Sequence, residues 1–225
     1  RCFDWSWALR RAAAVETNMT MQAETGFSTG RRHGWLREII FIALMLAGIL
    51  AGRSSLADHY VVPSGSMEHT LQPGDRVLVD KRAYGLRLPF TAIAITAGDP
   101  VERGDVVIFD SPADGTRLIK RIVAIGGDRV SLAGGRLVVN GQPLASGDRP
   151  DIEWHGDTAV ALRLSSGGGP DVMGLVPEGQ LLALGDHRGN SRDSRFFGFV
   201  DAESVYARAL GVYWRRGEGV VWKRL

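Results

Sequence analysis

An uncharged apolar run, Ile39 to Gly52, divides this chain into two unequal parts and limits what each can become. With Trp35 and Leu36 before it and Ser54 to Ala57 after it, the run reaches the roughly 20 residues a helix needs to cross a bilayer core. The expectation is a single transmembrane helix over 35–57, with Arg37 and Arg53 reaching toward the two interfaces and Trp35 as an interfacial anchor. Arg31, Arg32 and Arg37 put the N-terminal side in the cytoplasm by the positive-inside rule, so the chain beyond the run lies on the outer, periplasmic side. A cleaved signal peptide competes, because Ser55-Leu56-Ala57 has the small-x-small form of a processing site. Its n-region would be unusually long, which favours an anchor that is kept. A helix buried in a soluble core is the third reading.

Before the run, residues 1–34 show no sustained period and end in the basic cluster Arg31-Arg32-His33, so they are expected to form a cytoplasmic tail. The chain does not open on Met, and Met19 or Met21 is a candidate start. Asn18-Met19-Thr20 fits a glycosylation acceptor but is short enough to arise by chance. The single cysteine, Cys2, has no partner for an internal disulfide. A net charge of +2 with scattered positives argues against a nucleic-acid partner. The five histidines stand at no metal-ligand spacing, so neither a metal nor a cofactor is expected.

After the run, residues 58–225 read as a β-rich domain. The 29 glycines imply many turns and therefore short strands. Arg76 to Val79, Asp105 to Phe109, Arg117 to Ile125, Arg136 to Val139, Gln180 to Ala183 and Gly211 to Trp214 are rich in β-branched or aromatic residues and flanked by Gly, Asp or Pro. The fold class expected is mainly β, an antiparallel sheet behind an N-terminal transmembrane helix. Asn140-Gly141 supplies the two positive φ values of a type I′ turn and predicts a hairpin over 137–144. An excursion at about 140–175, containing Ser165-Ser166-Gly167-Gly168-Gly169-Pro170, is expected to carry a flexible stretch. Asp201 is expected to cap a short helix over 201–209.

Three stretches bear on chemistry. Val62-Pro63-Ser64-Gly65-Ser66-Met67 would hold two hydroxyls on a loop, where a nucleophile can be displayed. A serine needs a group to take its proton. His59 and His69 are near in sequence but lie in no catalytic frame. Lys120 shares a strand face with Leu118 and Ile122, because side chains alternate along a strand. Burial there would depress the ammonium pKa from about 10.4 and make the amine a candidate general base. The alternative is a lysine whose stem packs while its head reaches water. The third stretch, Leu184 to Val200, packs Asp, Arg and Ser between apolar segments. Its charges must pair to survive burial, Asp186 or Asp193 with Arg188 or Arg195, and Ser191 or Ser194 would then orient the lysine.

Pro63-Ser64-Gly65-Ser66-Met67, Gly74-Asp75-Arg76-Val77-Leu78-Val79-Asp80-Lys81 with Ala83-Tyr84-Gly85, Arg103-Gly104-Asp105-Val106-Val107, Ile119-Lys120-Arg121-Ile122-Val123 with Gly126-Gly127-Asp128, and Gly185 to Val200 succeed one another in this order. Together they resemble the boxes of bacterial type I signal peptidases, membrane-anchored Ser/Lys endopeptidases that remove signal peptides from exported proteins. The resemblance covers about Trp35 to Ala209. It implies Ser66 as nucleophile and Lys120 as general base, with the Ser66 N–H and the Ser64 hydroxyl as oxyanion hole. It further implies Ser191 bonded to the Lys120 amine, Asp193 with Arg195 as a brace, and Val62, Pro63, Met67, Leu71 and Ile119 around shallow substrate pockets. Implied partners are signal-peptide-bearing preproteins, membrane lipid and the export translocon. His69 and His187 depart from the pattern, standing where the family usually has Pro and Asn. A maturation peptidase of a conjugation or pilus system would use the same dyad, and a non-catalytic membrane-tethered peptide-binding domain is the reading from another class. A self-cleaving repressor also uses Ser and Lys, but a DNA-binding module would have to stand where the apolar run does.

Overall fold

The computed structural model describes residues 31–55, 57–85, 96 and 98–225. The tail expected over 1–34, with Cys2, the acceptor at Asn18 and both candidate start methionines, lies outside the described residues as far as residue 30, as does Leu56 of the suggested processing site. A helix, Arg31–Ser55, begins in one compact unit that ends at Ile49, and the strands belong to a second, Leu50–Leu225. Leu, Ile and Ala supply 11 of the helix's 25 residues and no proline interrupts it. From Ile39 to Ile49 its large apolar side chains are at least half exposed, on every side of the helix. Among the described residues no helix is long and apolar enough to cross a membrane.

The second unit is built from short strands. They are β1 (Ala57–Val61), β2 (Arg76–Asp80), β3 (Val106–Asp110), β4 (Arg117–Ile125), β5 (Arg129–Ala133), β6 (Arg136–Val139), β7 (Gln142–Pro143), β8 (Ile152–His155), β9 (Thr158–Ala161), β10 (Val172–Leu175), β11 (Gln180–Leu184), β12 (Val200–Asp201), β13 (Val205–Arg215) and β14 (Gly219–Arg224). One antiparallel sheet runs β1-β2-β13-β3-β4-β11-β12, with β14 on the far part of β13. A smaller sheet runs β10-β5-β6-β7, and β8 with β9 forms a separate hairpin. The mainly antiparallel β expectation holds, and each expected strand is present to within a residue or two or as part of a longer one.

β4 carries the site because it is central. From Ile119 to Ala124 it is buried on both faces, between β3 and β11. Ile119 belongs to a core cluster with Val62, Met67, Leu71 and Ile108, whereas Ile122 packs with Val107, Phe109 and Ala183, and Leu118 leans on that second cluster. At Asn140 (φ 52°) and Gly141 (φ 80°) both positive angles occur, and the hairpin β6–β7 forms as expected.

One expectation is corrected. Asp201 does cap, its side chain accepting from Glu203 N–H at 2.9 Å, but the cap opens only a 3-10 turn, Ala202–Ser204. The chain then runs as β13, because Val205, Ala207 and Ala209 recur with period two and fill the core on alternate positions. The excursion at about 140–175 carries regular structure around its Ser/Gly stretch. It forms the β8–β9 hairpin, a 3-10 turn over Ser165–Gly168, and β10, which returns to pair with β5. Glu153 on β8 is fully buried, and Arg188 binds its carboxylate with both terminal nitrogens, which fastens the excursion to the 185–191 loop.

Candidate active site

Residues 61–75 leave β1 and return to β2 as a tight loop. The Val62 N–H donates to the Asp75 carbonyl at 2.9 Å and the Gly74 N–H to the Val62 carbonyl at 2.8 Å, closing its base. Asp75, fully buried, is gripped by Arg215 at 2.8 and 3.1 Å and accepts the Gln72 N–H at 3.0 Å. On this frame Gly65–Met67 forms one 3-10 turn with Ser64 at its N-cap. Ser66 is nearly buried, while Ser64 is exposed, with its Oγ 3.4 Å from Ser66 Oγ.

Lys120 comes to the turn from the middle of β4, paired with Val107 on β3. Its Nζ donates to Ser66 Oγ at 2.5 Å, and the side chain is 2% exposed, so its head does not reach water. Burial pushes its pKa down from 10.5 to about 8, against the pull of the Asp193 and Asp186 carboxylates. A substantial fraction of this amine is therefore neutral near pH 8 and can accept a hydroxyl proton at hydrogen-bond distance. Lys120 and Ser66 are thus brought together across 54 residues, and Ser64 stands beside them.

The 184–200 stretch lies against this pair, its His187 N–H donating to the Ser66 carbonyl at 3.1 Å. Arg195 holds Asp193 through Nε and an Nη, both at 2.8 Å, and both side chains are buried. The Asp193 carboxylate also accepts the Gly185 N–H at 3.0 Å and caps the short helix Ser194–Phe197 through the Arg195 N–H. Of the alternatives open in the sequence, Asp193 takes Arg195, but Asp186 does not take Arg188. Asp186 pairs with Arg121 at 2.9 and 3.0 Å and also accepts from Thr70 Oγ1. Burial opposes ionisation of Asp186, yet Arg121 and Thr70 outweigh it and hold the carboxyl below the usual range. Arg121 therefore ties β4, the 61–75 loop and the 185–191 loop at one point. Glycine is required at 185, because a Cβ there would overlap Ser191 Oγ and the Ser66 carbonyl oxygen.

Two expected contacts are not made. Ser191 Oγ is buried without a hydrogen-bond partner, and Lys120 Nζ bonds to Ser66 instead. Val62, Met67 and Leu71 are at most 1% exposed and Ile119 is 4% exposed, so they form the packed floor of the turn instead of open pocket walls; Pro63 is exposed. Ser194, the other candidate for orienting the lysine, instead accepts the Ala183 N–H through its Oγ at 3.0 Å. His59 and His69 are both exposed. The partners that went unforeseen are Arg121, Thr70 and Glu153. For Arg121 a signal existed, since a second cation beside Lys120 in an apolar strand also needs a counter-charge. Thr70 and Glu153 are ordinary in sequence. Among the described residues no cluster of His, Cys, Asp and Glu stands ready for a metal ion.

The sequence from 32 to 214 matches the family model described as "Signal peptidase, peptidase S26". A signal peptidase I of Pseudomonas fluorescens is 35% identical over 202 residues, covering 78% of this chain and 69% of that protein. A signal peptidase I of Leptolyngbya laminosa is 31% identical over 184 residues, covering 77% and 76%. That of Bacillus licheniformis is 31% identical over 184 residues, covering 80% and 87%. A serine beside a buried lysine, on a β frame whose sequence matches these enzymes over most of its length, makes this chain a serine endopeptidase of the signal peptidase family, peptidase S26.

Proposed function

We propose that this chain is a membrane-anchored signal peptidase that cuts preproteins with Ser66 as nucleophile and Lys120 as general base. The observation that carries the reading is the 2.5 Å bond between Lys120 Nζ and Ser66 Oγ in a buried setting that lowers the lysine pKa to about 8. Neutral Lys120 takes the Ser66 hydroxyl proton as Oγ bonds to the scissile carbonyl carbon. The carbonyl oxygen becomes an anion, met by the Ser66 N–H and the Ser64 hydroxyl. Lys120 ammonium then gives its proton to the amide nitrogen, the C–N bond breaks, and the mature protein leaves with a free N-terminus. Water, deprotonated by the same amine, bonds to the acyl carbon; the bond from that carbon to Oγ breaks, Lys120 returns the proton to Oγ, and the signal peptide leaves as a carboxylate.

The apolar side chains exposed all round the helix Arg31–Ser55 support an anchor, since such a helix is at home only in an apolar environment. Its uncharged run, Ile39 to Gly52, extends about 21 Å at 1.5 Å per residue, so spanning a core of about 30 Å would need Arg37 and Arg53 to reach toward the interfaces. The substrates are then preproteins presented at the outer face of the cytoplasmic membrane, with membrane lipid and the export translocon as neighbours. The full chain in detergent should cleave a model preprotein at one bond, read by sequencing the new N-terminus. Ser66→Ala and Lys120→Ala should fold and be inactive; full turnover by either variant overturns the dyad.

A further inference from the structure

In the peptide unit joining Gly65 to Ser66, the N–H is the backbone donor of the proposed oxyanion hole. This unit is trans, so its carbonyl and N–H point in opposite directions within one plane. Whatever grips the Gly65 carbonyl therefore aims the Ser66 N–H. Two donors reach that oxygen: the Glu68 N–H at 3.1 Å and His187 Nδ1 at 3.3 Å. The His187 backbone N–H also donates to the Ser66 carbonyl at 3.1 Å, so one residue grips the carbonyl on each side of the Ser66 N–H.

The His187 ring is itself held. It is 7% exposed, and its Nε2 lies 3.1 Å from Ser165 Oγ in the excursion. A carbonyl oxygen only accepts, so Nδ1 carries a proton toward Gly65, while Nε2 meets the Ser165 hydroxyl, which can donate or accept. Glu68 Oε2 lies 3.7 Å from Nδ1, and that carboxylate is bonded to Arg163, whose backbone N–H donates to the Asp186 carbonyl at 2.9 Å. The ring is thus fixed from the nucleophile turn, the excursion and its own loop.

We propose that His187 is a positioning residue for the oxyanion hole: its Nδ1–H on the Gly65 carbonyl orients and polarises the Gly65–Ser66 peptide so that the Ser66 N–H is aimed before substrate arrives. A hydrogen bond accepted at an amide carbonyl strengthens the N–H of the same amide as a donor, by roughly 10–30% per bond. An aimed donor acts where charge develops, in the transition state, and contributes little to ground-state binding. Loss of the His187 donor therefore lowers kcat and leaves KM nearly unchanged. The inference rests on Ser66 as nucleophile.

The test uses the full chain in detergent and a model preprotein, with an unfolding midpoint measured for every variant. His187→Phe keeps a ring and removes both nitrogens; His187→Asn restores an N–H near the position of Nδ1; His187→Asp has the shape of Asn but presents an acceptor. His187→Phe should lower kcat about 10- to 100-fold with KM changed by less than about threefold. His187→Asn should recover to within about fivefold of wild type, and His187→Asp should not. A Phe variant with wild-type kcat, a loss confined to KM, or Asn and Asp variants that fold and are equally impaired would each overturn the proposal. If the Phe variant does not fold, the Asn and Asp pair decides. Ser66→Ala is run alongside: retained activity there refutes the nucleophile itself, whereas an inactive Ser66→Ala beside an unimpaired Phe variant refutes only the role of His187.

Discussion

Replacing Lys120 by Met tests the central electrostatic claim without relying on turnover. Met matches the unbranched stem of lysine, removes the amine and belongs in an apolar strand face. In the wild type, burial lowers the lysine pKa from 10.5 to about 8. Between those values the unfolded chain binds a proton that the folded chain does not, so stability rises with pH across that window. At about 1.4 kcal/mol per pH unit the gain is about 3 kcal/mol, complete by about pH 11. Below pH 8 both states are protonated and the wild type carries the whole penalty. The variant has no penalty but loses the bond to Ser66 Oγ, of about 1 kcal/mol. Lys120→Met should therefore be more stable than wild type by about 2 kcal/mol at about pH 7 and less stable by about 1 kcal/mol at about pH 11. Urea unfolding in detergent, followed by tryptophan fluorescence at about pH 7, 9 and 11, reads both numbers. A difference between the two proteins that does not change with pH would refute the reasoning, because it would mean that burial does not neutralise the amine. In the active enzyme the same ionisation should make kcat/KM rise about tenfold per pH unit below about pH 8 and level above it.

Ser64→Ala should lower kcat by about 10²- to 10³-fold with KM little changed, since it removes one donor of the proposed oxyanion hole; steady-state kinetics on a model preprotein checks it. Glu153→Gln leaves Arg188 buried without its counter-charge and should destabilise the β unit by about 3–5 kcal/mol, measured as a fall in the urea midpoint, although Glu153 lies outside the active site. Burial works against the Glu153 charge, but Arg188 holds its carboxyl below the usual range, so the wild-type pair should weaken only as the carboxyl protonates in acid. Gly185→Ala should push the 185–191 loop off the Ser66 carbonyl and cost about 1–3 kcal/mol together with most of the turnover; wild-type activity in that variant would remove the close-approach argument.

Where the chain's own pattern was strong, structure matched it. Arg117 to Ile125 forms one strand with the bounds its composition implied, and Asn140-Gly141 turns its hairpin, because those effects act over a few residues. Local reasoning failed where two local patterns coexist. At Asp201 the cap is real, yet alternate apolar positions from Val205 onward find a core on the neighbouring strands, and the sheet prevails over the helix. At about 140–175 composition did not specify the β8–β9 hairpin, where one buried carboxylate meets Arg188 and fastens the segment.

The active pair divides in the same way. That Lys120 sits in an apolar strand and that Ser64 and Ser66 sit on a loop is set by neighbours in sequence, and the order of the motifs pointed to the family that the matches then established. Which acid takes which arginine was not set there, because Asp186, Arg188, Asp193 and Arg195 all lie within ten residues of chain; Arg121 and Glu153 enter from other strands and settle the pairing by proximity in space. The 2.5 Å approach of Lys120 to Ser66 is likewise a product of packing. Periodicity can say that a lysine faces apolar neighbours. That its amine ends on one hydroxyl 54 residues away depends on β4 lying buried between β3 and β11, and on the loop that Asp75, Thr70 and Gly185 hold against it.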